Sequence, residues 1–189
     1  YKVHPADLQE TVLFRGWPVR TLESLVSHLE PVCMAPGTIM LEAGVNSTFM
    51  YYISNGKVEE TKVDATGHVI YRETYGARSM LGVRACIFPE PSTVHAVTLT
   101  TTQAWRLPKA QLINFMLADP GQFLLTQERV NQHSAQFLLK PSSGLLELMG
   151  TFLRALPRPV LSDIAALLSP KVLQLRAEVV KNGSPGRQM

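Results

Sequence analysis

Only two cysteines, Cys33 and Cys86, occur in this chain of 189 residues. Neither has a second Cys or His at ligand spacing, which excludes a disulfide framework and a zinc site. Both stand among apolar residues, so buried free thiols in a reducing compartment are expected. Charge is scarce as well, at 17% Asp, Glu, Lys and Arg against about 25% in an average protein, so part of the surface is expected to lie against something else. Long hydrophobic runs are missing. The richest stretch, Leu145 to Leu156, is interrupted by Glu147 and Arg154, which excludes a membrane span there. Basic runs are missing too. A net charge of +3 is spread along the chain, and this argues against a nucleic-acid surface. Tyr1 opens the chain with neither an initiator Met nor a signal-peptide pattern, which predicts a piece of a longer, cytoplasmic protein. The sequons Asn46-Ser47-Thr48 and Asn182-Gly183-Ser184 are then accidental.

Catalytic patterns are also lacking. No Gly-x-Ser-x-Gly elbow and no Gly-x-x-x-x-Gly-Lys phosphate loop occurs. His68 and His95 stand singly, whereas a metal-dependent β-roll enzyme needs several His and a carboxylate on one ion. An enzyme is not expected, nor a catalytic or metal site.

What the chain does have is 46% hydrophobic residues, enough to exclude disorder and to build one domain plus part of another. Residues 6–12 and 19–29 read as helices; in the second, Leu22, Leu25, Val26 and Leu29 form a one-sided stripe. Short β-rich runs follow at Val32–Met34, Ile39–Leu41, Phe49–Ile53, Lys57–Val63, His68–Glu73, Thr93–Thr100 and Ala104–Leu107. Pro36-Gly37, Ser54-Asn55-Gly56 and Asp64-Ala65-Thr66-Gly67 separate them, because Asn, Asp and Gly tolerate positive φ. Many short strands at this spacing predict a sandwich, roll or barrel. Met80 to Phe88 is too long for a hairpin turn and predicts an inserted helix that ends at Pro89-Glu90-Pro91. Asp119-Pro120 then starts a long helix, with Asp as N-cap and Pro at its first position. Phe123, Val130 and Phe137 recur on it every seven residues, a stripe expected to pack on the strands. Two further helices are predicted at about 144–156 and 159–168.

The chain also repeats itself. Residues 14–50 align without gaps on 153–189, with seven identities: Arg15/Arg154, Pro18/Pro157, Leu22/Leu161, Leu29/Leu168, Pro31/Pro170, Gly44/Gly183 and Met50/Met189. About two are expected from average composition. One complete unit and the opening of a second are therefore expected.

Taken together, Pro36-Gly37-Thr38-Ile39, Ala43-Gly44, Phe49-Met50-Tyr51-Tyr52-Ile53 and Asn55-Gly56-Lys57-Val58 resemble the first half of a cyclic-nucleotide-binding domain. Gly82 opens a segment similar to that family's phosphate-binding cassette, and Thr100 to Leu107 is similar to its last strand. The resemblance covers about residues 10–139 and the start of the repeat. It implies a mainly β fold with flanking helices: an eight-stranded, jelly-roll-like β-roll followed by a C-terminal lid helix. The expected organisation is an N-terminal helical segment at 1–29, the β-roll at 30–107 with a cassette helix near 80–88, and lid helices at 108–141. Residues 142–189 would be a linker helix and the truncated start of a second such domain. A helix N-terminus in the cassette offers backbone N–H groups to an anion.

Ligand-binding members of that family carry Glu directly after the cassette glycine, bonding the ribose hydroxyl. Ten residues after the glycine they carry Arg, pairing with the cyclic phosphate. These positions align on Val83 and Ser92. Each lost charge-assisted bond costs roughly 10- to 150-fold in affinity. The resemblance thus implies a degenerate cassette, with Gly82, Val83, Arg84, Ser92 and Thr93 as candidate ligand contacts and no resident cofactor. Arg84 is expected to face solvent, and Val83 to fill the emptied pocket. The implied function is a non-enzymatic regulatory module with weak or no cAMP or cGMP binding. It would act through contacts with the rest of its polypeptide, including the second domain, in the setting of a channel, transporter, kinase or ciliary protein. The alternative is a sensor of cAMP, cGMP or another small purine or anionic ligand through a rebuilt cassette. A bacterial-type transcription regulator is a second alternative, against which Val160 to Leu168 lacks any Arg or Lys to read bases.

Overall fold

The computed structural model describes residues 2–63 and 67–138, with the side chains of 135–138 left aside, together with positions 157 and 160. The repeat copy at 153–189, the linker from 142 and the helices predicted at 144–156 and 159–168 lie outside the described residues, apart from those two positions.

Two short helices open the chain, α1 (Pro5–Gln9) and α2 (Val19–Val26). In α1 the His4 imidazole accepts from the Ala6 N–H at 3.3 Å, and the Asp7 carboxylate accepts from the His4 N–H at 2.9 Å. This reciprocal cap leaves few orphan donors in the first turn. α2 stops three residues earlier than its apolar stripe predicts. The N–H groups of His28 and Leu29 bond the carbonyls three residues back, so the last turn tightens. Leu29 stays buried, and the stripe is used without the helix that predicted it.

Eight strands follow: β1 (Glu30–Met34), β2 (Ile39–Leu41), β3 (Phe49–Asn55), β4 (Val58–Val63), β5 (Val69–Tyr75), β6 (Met80–Leu81), β7 (His95–Thr98) and β8 (Thr102–Pro108). They form two antiparallel four-stranded sheets, ordered β1-β8-β3-β6 and β2-β7-β4-β5. The β-roll with flanking helices is as expected. One correction concerns the cassette. Met80 and Leu81 pair with Tyr52 and Tyr51 of β3, so the helix α3 begins only at Val83 and runs to Ile87. Another concerns the thiols. Cys86 is buried, but Cys33 is exposed, because β1 is an edge strand whose alternation turns that side chain outward.

Two further helices close the domain, α4 (Lys109–Ala118) and α5 (Pro120–Leu138). The Asp119 carboxylate accepts from the Gln122 N–H at 3.0 Å, and Pro120 stands at the first helical position, as the Asp-Pro pair predicts. β3 is buried on both faces. Met50 and Tyr52 join Leu8, Phe14, Leu22, Leu25, Leu107 and Leu112 in a core between the first sheet and the helices. Ile53 joins Met40, Leu41, Val58, Leu81 and Ala96 in a smaller core inside the roll. Val130 and Phe123 of α5 pack on the larger core, while Leu124, next to Phe123, is 66% exposed.

Candidate functional site

The segment from Gly82 to Ile87 is held by close backbone packing. Gly82 has φ +74°, and a Cβ there would stand 3.1 Å from the Phe49 carbonyl and 3.2 Å from a Leu41 methyl. Only glycine takes that turn without moving β3. From it α3 runs to Ile87, and the Lys109 ammonium donates to the Ala85 carbonyl at 2.7 Å. A cation near a helix C-terminus is favourable, and this bond fixes α3 to the start of α4.

Beside Gly82 a cavity of about 510 Å³ opens, within the 300–1,000 Å³ range usual for ligand pockets. Its walls come from α3, the 90–94 loop, the inward face of β4 and β5, and α5. Val83 lines it but also packs on the helical core. The expected plugging by Val83 does not occur: one isopropyl group shared with the core cannot fill a space of that size.

Ser92 is buried, and its hydroxyl is used locally. It donates to the Val94 carbonyl at 2.8 Å and accepts from the Val94 N–H at 3.3 Å. The Ser92 backbone is tied to Val45 and Gly44. Thr93 lines the cavity half-buried. Arg84 departs most from expectation. Its side chain is 18% exposed and does not face solvent. The guanidinium pairs with Glu90 at 3.0 Å, donates to the Asn131 side-chain oxygen on α5 at 2.8 Å, and lies over the Phe88 ring at 4.5 Å. Arg78, at the mouth, has φ +69° and meets Glu10 at 3.4 Å with both side chains 69% exposed, an arrangement that contributes little.

The opposite wall was not anticipated. Register places Glu60 opposite Glu73 and Lys62 opposite Tyr71. The Tyr71 and Tyr75 hydroxyls are 2.8 Å apart. Burial, then the facing Glu73, push the Glu60 carboxyl up to about 7, against a bond from Tyr71 that lowers it. Burial and then Arg84 hold the Lys62 ammonium below its ordinary range. Burial raises both tyrosines. Val58, Glu60 and Lys62 alternate along β4, so a strand reading that expects apolar residues inward passes over the two charged ones. No group of three or more metal-ligating side chains occurs among the described residues, and no described helix is long and apolar enough to cross a membrane.

Comparison with known proteins agrees with the geometry. Residues 31–119 match the model of the cyclic nucleotide-binding domain. None of the curated proteins matches the chain. Among solved structures, the sensor domain of the transcriptional regulator DNR from Pseudomonas aeruginosa is similar with a TM-score of 0.58 at 16% identity, over 72% of this chain and 92% of that one. The N-terminal domain of a transcriptional regulator from Streptomyces coelicolor A3(2) gives 0.56 at 18% identity, over 69% and 90%. The regulatory domain of Toxoplasma gondii PKA, solved with cAMP, gives 0.57 at 13% identity, over 86% of this chain and 56% of that one. At such identities the shared property is the fold.

Proposed function

We propose that this cyclic-nucleotide-binding-type domain is a non-enzymatic regulatory module that binds cAMP and cGMP weakly or not at all. It acts through contacts with the rest of its polypeptide, which carries the start of a second such unit at 142–189. The observation behind the reading is the state of the two cassette positions. Val83 offers no hydrogen bond, and the Ser92 hydroxyl is closed on the Val94 backbone. A cyclic nucleotide here would meet no carboxylate at position 83 and no guanidinium at position 92. Calorimetric titration of the full chain with cAMP and cGMP tests this. Dissociation constants weaker than about 100 μM are expected, and binding tighter than about 10 μM overturns the reading.

A second reading is favoured by the open cavity beside Gly82. The domain would sense a different small purine or anionic ligand, through Arg84, Thr93 and the β4–β5 wall in place of the usual pair. In the same calorimeter, a panel of purine nucleosides and nucleotides separates a ligand-responsive module from a silent relay.

A further inference from the structure

We propose that Arg84 is the anion-holding side chain of the cavity and that Glu90 is its built-in occupant, a tethered carboxylate that an external phosphate or carboxylate must displace. The proposal rests on the ligand-sensing reading above and assigns that ligand an anionic group. Arg84 and Glu90 are 18% and 19% exposed and stand 3.0 Å apart, so the carboxylate meets the guanidinium largely out of water. Glu90 lies between Pro89 and Pro91, whose rings fix φ and present the carboxylate with little freedom to lose. The guanidinium is not fully used. Its Nε is buried with no hydrogen-bond partner among the described residues, and a buried donor left over points to an acceptor that arrives from elsewhere. Lys62 lines the same cavity close enough for Arg84 to disfavour its charge. Arg84 and Lys62 therefore face one space that Glu60 and Glu90 also line, and Glu90 is the carboxylate paired with Arg84.

The same guanidinium reaches α5 through Asn131 at 2.8 Å. An anion that re-seats Arg84 thereby loosens or shifts the helix, so occupancy of the cavity is transmitted to the element leading out of the domain. Phosphate and carboxylate share the chemistry, and separate titrations distinguish them.

The test uses the full chain as wild type, Glu90→Gln and the double variant Arg84→Gln/Glu90→Gln, titrated with inorganic phosphate, acetate and adenosine. Nitrogen-15 NMR follows the Arg84 Nε–H and the Asn131 side-chain amide. Glu90→Gln should bind phosphate or acetate at least about 10-fold more tightly than wild type, the scale of one charge-assisted hydrogen bond. Both reporter signals should move, and the double variant should lose the gain. Whichever of the two anions gains more is the chemistry the ligand carries. If Glu90→Gln loses its chemical-shift dispersion, Glu90→Asp retracts the carboxylate by one methylene and should give a smaller gain of the same sign. A folded Glu90 variant with wild-type anion affinity overturns the proposal. Adenosine binding equally to all three, with no gain for either anion, removes the tethered occupant and leaves the ligand-sensing reading standing. Silence of every probe in every variant removes both.

Discussion

Gly56 turns the chain from β3 in the first sheet to β4 in the second, and replacing it with Ala should be the most damaging single-methyl addition at a turn glycine of this domain. Its φ is +104°, and a Cβ there would stand 2.6 Å from Thr102 Oγ1, 2.7 Å from Thr102 Cα and 2.8 Å from the Thr101 carbonyl. Two of these three are backbone atoms. The third belongs to a fully buried hydroxyl that donates to the Thr100 carbonyl at 2.9 Å and so cannot swing away. Positive φ costs a side-chain-bearing residue about 1–2 kcal/mol, and forced overpacking costs about 1–3 kcal/mol more. Against this, Ala restricts the unfolded chain and returns about 0.4–1 kcal/mol. The net loss is about 1–4.6 kcal/mol, centred at about 3 kcal/mol. Gly44 provides the control: its φ is +83°, but a Cβ there meets nothing within 4 Å, so Gly44→Ala should lose no more than about 1.6 kcal/mol. Urea titration followed by tryptophan fluorescence reads both. With a slope of about 1–3 kcal/mol per molar, Gly56→Ala should move the midpoint down by about 1 M or more. Equal midpoints for the two variants would refute the reasoning, because they share the backbone strain and differ in the contact. The turn matters to the site as well, since it leads into β4, whose pairing with β5 sets Glu60 and Lys62 on the cavity wall.

Two other predictions concern titration. Glu60 is raised from 4.5 to about 7, so between those values the folded protein keeps a proton that the unfolded chain has released. Stability should therefore fall as pH rises from about 4.5 to 7 and level off above, by at most about 3 kcal/mol. Glu60→Gln should flatten that slope and raise the urea midpoint at pH 8; a wild-type slope in the variant counts against the assignment. Cys86 is buried and its thiol is pushed up to about 11 by burial, while Cys33 is exposed. A thiol reagent at pH 8 should modify Cys33 quickly and Cys86 only after denaturant is added, and two fast thiols would contradict the packing of α3.

The roll was legible because its signals are local. The Asn55-Gly56 turn, the Asp119-Pro120 helix start and the Ile39–Leu41 strand fall where residue types alone place them. The strand residues Met80 and Leu81 were not legible, since two residues carry no period and exist as β6 only because β3 lies beside them. An inserted helix near Gly82 was legible, but the reason no other residue fits at Gly82 is the approach of Phe49, some thirty positions away. The wall opposite the cassette was hidden for the same reason. Glu60 and Glu73 meet through a register that includes a shift between Lys62 and Val63, and no count along the sequence predicts where that shift falls. Arg84 could be placed on the cassette helix, but its direction depends on Glu90 and Asn131, one in the following loop and one on the last helix.

That last helix also decides how the N-terminal segment should be regarded. α5 is anchored from the far side by the indole N–H of Trp17, which donates to the Thr126 hydroxyl at 3.1 Å, while that hydroxyl donates back to the Gln122 carbonyl at 2.7 Å. The Arg129 guanidinium reaches the Arg15 carbonyl one turn later. Between these and the Arg84–Asn131 bond, Val130 sits in the larger core. Residues 120–131 are thus clasped from two directions, by the connection between α1 and α2 and by α3. The two grips differ in kind. Trp17 is 2% exposed and makes an edge-on contact with Phe14 at 5.2 Å, so releasing it would expose a large apolar surface. Arg84 is held by polar contacts that another acceptor can replace. If an anion displaces Glu90 as proposed, a movement of α5 would begin at Asn131, where the contact is polar, while the Trp17–Thr126 contact would hold the other side.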